Sequence, residues 1–120
     1  MKTLKLFFAT ILFMAFSANA FPQTHDHSQM SNSKTESFKV WGNCGMCKDR
    51  IENAVKSEGA TTAVWDQKTM ILTVSFDPKK TSLDALGKKL ASVGHDTEKY
   101  KAPDDAYAKL PGCCKYERSK

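Results

Sequence analysis

Two thiols set two residues apart, Cys44 and Cys47 in the run Gly42-Asn43-Cys44-Gly45-Met46-Cys47, offer this chain its clearest chemistry. One falls in a loop and the other at the start of a helical run, so both sulfurs can converge on a single soft ion. Thiolate is the ligand that Cu(I), Hg(II) and Zn(II) select. The free amides of a helix's first turn favour the thiolate and lower its pKa from an ordinary value of about 8.5. The same spacing also suits a redox dithiol that exchanges disulfides, or a purely structural disulfide.

The elements on either side must bring these sulfurs to one end of a small domain. Phe38 and Val40 alternate with Lys39 in a strand that runs into Trp41. A helix is expected from about Met46 to Ser57, with Cys47, Ile51, Ala54 and Val55 on one stripe and Gly59 closing it. Ala60 to Asp66 reads as a second strand and Met70 to Phe76 as a third, with Gln67-Lys68-Thr69 as the turn between them. Leu72, Val74 and Phe76 share a face of that third strand, and Asp77-Pro78 ends it because proline lacks a ladder amide. Thr81 or Ser82 caps a second helix with the stripe Leu83, Leu86, Leu90 and Val93, closed by Gly94. His95 to Lys101 completes the pattern as a short edge strand. The order is an α+β, ferredoxin-like βαββαβ sandwich, with two helices on a four-stranded antiparallel sheet.

The ends of the chain carry different signals. Residues 1–20 have a signal peptide's layout: Lys2 and Lys5, an apolar run from Leu6 to Phe16, then the small-x-small pattern Ala18-Asn19-Ala20. That run is shorter than the ~20 apolar residues a bilayer requires, so no stable membrane insertion is expected once the leader is cleaved. The expected location is periplasmic. Residues 21–35 read as a flexible tail in which His25, His27 and Met30 form a weak metal-collecting tract or a plain solvated linker. All four cysteines, Cys44, Cys47, Cys113 and Cys114, follow the leader, in a compartment where free thiols are the exception. The formal charge of +5 falls to +3 without the two leader lysines, and no arginine-rich stripe or aromatic-basic interleaving is present. A nucleic-acid partner is therefore not expected. No Ser-His-Asp set, phosphate loop or paired-carboxylate signature marks an enzyme.

Residues 36–101 resemble the heavy-metal-associated domain of copper chaperones, metal-transporting ATPase tails and the periplasmic mercury-binding protein. The Gly-x-Cys-x-x-Cys loop between strand and helix carries the resemblance, with Asp77-Pro78 and Val93-Gly94. It implies that Cys44 and Cys47 hold one soft ion and yield it by ligand exchange to a metal-transporting ATPase or efflux component. Two thiolates suit near-linear Cu(I) or Hg(II), whereas Zn(II) wants more ligands. The leading expectation is a Cu(I) carrier or sequestering protein, a monomer or a metal-bridged dimer. A mercuric-ion-binding protein and a thiol-disulfide oxidoreductase are the alternatives.

Three features depart from the family pattern. Gly42-Asn43 replace the usual methionine and threonine, and the methionine is Met46, between the cysteines, either near the metal or simply exposed. His95 occupies a position that in the family faces the metal, as a third ligand, a positioning group or a solvated side chain. Residues 102–120 form an extension with Cys113 and Cys114 presented after Pro111-Gly112. That pair can add ligands, form a disulfide or play no role. Tyr100, Tyr107 and Tyr116 are expected to tie the extension to the domain.

Overall fold

The computed structural model describes residues 32–120; the leader and most of the 21–35 tail, including His25, His27 and Met30, lie outside the described residues. Three strands, β1 (Lys34–Lys39), β2 (Ala60–Trp65) and β3 (Ile71–Phe76), form an antiparallel sheet in the order β1-β3-β2. Period-two alternation sorts their side chains between two faces. In β3, Leu72, Val74 and Phe76 are buried, opposite Phe38 and Glu36 on β1 and Trp65 and Ala63 on β2. The other face is wet and carries hydroxyl pairs, Thr35 Oγ1 to Ser75 Oγ at 2.8 Å and Ser37 Oγ to Thr73 Oγ1 at 2.9 Å.

Two helices cover the apolar face. Helix α1 (Gly45–Ser57) buries Cys47, Ile51, Ala54 and Val55. Helix α2 (Leu83–Ser92) buries Leu86 and Leu90, and Ser82 Oγ accepts the Ala85 amide at 3.1 Å to cap its first turn. Each fully buried leucine or isoleucine contributes about 1.5–3 kcal/mol. The Trp65 indole joins this core and donates Nε1–H to the Val40 carbonyl at 3.0 Å. No helix among the described residues is long and apolar enough to cross a membrane.

The expected fourth strand, 95–101, does not form. Its backbone meets the sheet edge through one bridge, Val40 with Thr97, and the bond from Trp41 N–H to the Asp96 carbonyl at 2.9 Å. Other groups take its amides. The Tyr116 hydroxyl accepts from Asp96 N–H at 2.9 Å, and the Tyr100 carbonyl accepts from Thr97 N–H at 2.7 Å, which closes a turn. On β1, the Lys39 amide donates to the Glu98 carboxylate at 2.8 Å rather than to a strand carbonyl.

The C-terminal stretch explains this change, because it packs onto the domain. It contains a short helix α3 (Asp104–Ala108) and a 3-10 turn at Gly112–Cys114. Leu110, Cys114 and Tyr116 from it enter the core. Its approach requires Gly94: φ there is +102°, and a Cβ would lie 2.9 Å from the Ala106 carbonyl. The Tyr116 hydroxyl donates to the Gly94 carbonyl at 2.7 Å, and Tyr107 donates its own to the Tyr116 carbonyl at 2.6 Å. Beyond Tyr116, the Arg118 guanidinium forks onto the fully buried Asp96 carboxylate, with Nη2–Oδ1 at 2.8 Å and Nε–Oδ2 at 3.2 Å.

Candidate metal centre

The cysteine loop is shaped from both sides. Gly42 lies against the Trp65 ring so closely that a Cβ would sit 2.9 Å from two of its carbons. Gln67 Nε2 donates to the Asn43 carbonyl at 2.9 Å, and Asn43 Nδ2 donates to the Cys113 carbonyl at 3.2 Å. Cys44, in an extended conformation, is the N-cap of α1. Cys47 lies one turn in, on the buried stripe of the helix. The helix start therefore faces the sulfurs with its unpaired amides.

Cys44 Sγ is 3.7 Å from Cys47 Sγ and 3.4 Å from Cys114 Sγ, and the three sulfurs lie within 4.8 Å of one another. Cys114 is buried within the 3-10 turn, whereas the sequence suggested that both tail thiols would be presented. Cys113 alone is exposed, its Sγ 3.4 Å from Met46 Sδ and 3.9 Å from Cys114 Sγ. Arg50, one turn beyond Cys47 on α1, points Nη1 at Cys114 Sγ at 3.3 Å.

The two motif thiols are electrostatically unequal. The Cys47 amide at the open helix end lowers the Cys44 thiol to about 7, outweighing a smaller upward push from burial and helped by the neighbouring thiols of Cys114 and Cys47. Burial pushes Cys47 up to about 12. At neutral pH the loop thus offers a half-ionised outer sulfur beside a protonated inner one. A soft cation that binds both displaces the remaining protons.

Comparison with known proteins places this arrangement. No family model matches the chain. A copper-exporting P-type ATPase of Staphylococcus saprophyticus is 32% identical over 68 residues, 56% of this chain and only 9% of that protein. A solved structure of the CopZ metallochaperone superposes with a TM-score of 0.51 at 26% identity, covering 53% of this chain and 98% of CopZ. Oxidised MerP from Ralstonia metallidurans CH34 superposes with a TM-score of 0.52 at 28% identity, covering 55% of this chain and 94% of MerP. Over about half its length the chain is similar in fold and sequence to CopZ and MerP. Its sheet has three strands where four were expected, and the cysteine loop lies at the start of α1.

Within this domain, His95 is fully buried, which excludes a solvated side chain. Its Nδ1 meets the Trp41 carbonyl at 2.9 Å, its ring stacks on Tyr116 at 5.5 Å, and Nε2 has no partner. Burial lowers its pKa, and the Trp41 carbonyl only partly offsets this. The three-sulfur group does not include it. Met46 is half exposed, with its thioether on Cys113. Sequence reasoning passed over Arg50, although its position three residues after Cys47 places both on one side of the helix. The carboxylate clasp of Asp96 on Arg118 carries no local signal, since 22 residues separate them.

Proposed function

We propose that this chain is an exported, periplasmic binding protein, not an enzyme, that takes up a soft ion through Cys44 and Cys47 and transfers or sequesters it, with Cu(I) as the main cargo. The single observation that carries this reading is the convergence of Cys44, Cys47 and Cys114 sulfurs within 4.8 Å of one another at a helix start. With metal–sulfur bonds of about 2.3 Å, sulfurs stand about 4 Å apart around a three-coordinate ion and about 4.6 Å apart across a linear one. The separations of 3.4 and 3.7 Å lie nearer the three-coordinate value. Cys114 then acts as a third ligand, and the Arg50 guanidinium offsets the surplus negative charge of three thiolates on a monovalent ion.

Copper is favoured by the likeness to the copper-exporting ATPase and to CopZ, and the likeness to MerP keeps Hg(II) as the alternative cargo. The exchange partner is a metal-transporting ATPase or efflux component. Three sulfurs from one chain complete a site without a second copy, which favours a monomer. The leader-like residues 1–20 support export. Anaerobic titration of the reduced protein with Cu(I), Hg(II) and Zn(II) tests the reading. A tight first equivalent of Cu(I), abolished by replacing Cys44 and Cys47 with serine, is expected. Cu(I) uptake unchanged by that double replacement refutes it, and efficient turnover of a model disulfide by the metal-free protein would favour the oxidoreductase instead.

A further inference from the structure

Next to the three buried or half-buried sulfurs stands a second pair of soft donors. Met46 Sδ and Cys113 Sγ are 3.4 Å apart, both on exposed residues, and come from segments 67 residues distant. Nothing in the core requires this contact. Methionine is one of the two large apolar side chains exposed among the described residues, and Cys113 is the only exposed thiol there. Asn43 Nδ2, bound to the Cys113 carbonyl at 3.2 Å, fixes the tail loop over the helix start. Cys113 Sγ also lies 3.9 Å from Cys114 Sγ. The sulfurs of Met46, Cys113, Cys114, Cys44 and Cys47 thus form an unbroken series running from solvent to the core, with steps of 3.4, 3.9, 3.4 and 3.7 Å.

We propose that Met46 and Cys113, sharing Cys114 with the inner site, hold a second Cu(I) ion at the surface. The proposal rests on the inner site described above and adds to it an outer position through which cargo enters and leaves. Spacings of 3.4 and 3.9 Å around Cys113 match sulfurs that share one ion at bonds of about 2.3 Å. Thioether and thiolate are both ligands that Cu(I) accepts. Binding forms Cu–Sγ bonds to Cys113 and Cys114, any proton on either thiol passing to water, and a dative bond from Met46 Sδ. No oxidation state changes. Inward transfer breaks the bonds to Met46 and Cys113 as bonds to Cys44 and Cys47 form; protons still on those two thiols pass to water, the freed Cys113 thiolate takes one up, and Cys114 stays bonded throughout. A thioether is a neutral donor, so the outer ion is the weaker bound and the first to leave.

The test counts ions on the reduced exported chain, by anaerobic native mass spectrometry and by competition with a chromophoric Cu(I) chelator. The expected result is two Cu(I) per monomer, the second at least tenfold weaker. Cys113→Ser should lose the second ion and keep the first. Met46→Leu, which conserves volume, should weaken the second ion about tenfold or more and leave the first unchanged. One ion per wild-type monomer, or two retained by both variants, overturns the outer site while the inner one stands. No tight first ion in the wild type overturns both.

Discussion

Replacing Arg118 with glutamine should loosen the tail in a way that depends on pH. Asp96 is fully buried, and its carboxylate accepts from Ala102 N–H at 2.7 Å, from Ser119 N–H and Oγ at 3.1 Å each, and from the Arg118 fork. Burial alone would raise this carboxyl's pKa. Arg118 and the amides of Ala102 and Ser119 outweigh it and hold the group at about 2. A carboxyl whose folded pKa lies below its unfolded value contributes stability above the unfolded value, lost as pH falls through the folded one. A fall from near 3.8 to about 2 corresponds to roughly 2 to 3 kcal/mol, present at pH 5 and above and lost between pH 4 and 2.

Removing the guanidinium leaves a buried charge with fewer partners, a change that costs about 3–5 kcal/mol when a buried pair is broken. The remaining amide bonds put Arg118→Gln at the lower end. Urea unfolding of the metal-free protein at several pH values measures the gap. A wild-type advantage of about 3 kcal/mol at pH 7 should shrink as pH falls from 4 toward 2, since a protonated Asp96 no longer needs the cation. Tyr116 and Cys114 sit on the same tail, so the variant should also bind its first Cu(I) more weakly, as Cys114→Ser should. A gap that stays constant with pH refutes the clasp, and unchanged Cu(I) affinity refutes its role in presenting Cys114.

Three further expectations follow from the same geometry. Arg50→Met removes a charge-assisted contact to Cys114 Sγ worth about 1.5–3 kcal/mol, so chelator competition should show first-site Cu(I) affinity lowered about tenfold or more, with partial recovery in Arg50→Lys. Alkylation by iodoacetamide should strike Cys44 first, with a rate that is half-maximal near pH 7 and falls below it as the lowered thiolate is protonated. Cys47, pushed up to about 12, should stay unreactive through pH 9, and fragment-ion mass spectrometry of the modified peptide reads both. Gly94→Ala forces a side chain into positive φ and against the Ala106 carbonyl, which should cost about 1–3 kcal/mol in denaturant unfolding.

Legibility followed the sequence distance over which each contact acts. The alternation of Leu72, Val74 and Phe76 and the stripe of Cys47, Ile51, Ala54 and Val55 are local, and both elements form as their patterns require. The Cys44–Cys47 pair was readable for the same reason, since a helix start converts a spacing of three into a sulfur distance of 3.7 Å. The contact of Cys44 with Cys114 spans 70 residues, and no periodic pattern encodes it. His95 offered a ligand or a solvated group by its type, yet the Tyr116 ring that stacks on it lies 21 positions later.

The lost fourth strand and the added third sulfur share one cause. Tyr116 takes the Asp96 amide that a strand would have given to its neighbour, and that docking brings Cys114 to the loop. In an open two-sulfur site an incoming thiolate reaches the ion from a free side. Here the chain's own tail occupies that side, so under the proposed function an acceptor would have to displace Cys114 or collect the ion at Met46 and Cys113. On the proposed function, such a carrier would hold its cargo more tightly than an uncovered loop and release it along the sulfur series. Transfer to an acceptor thiol should therefore slow in Cys113→Ser, which removes the outer step, and quicken in Cys114→Ser, which reopens the inner one. Stopped-flow transfer rates moving together in the two variants would show that the tail governs affinity alone.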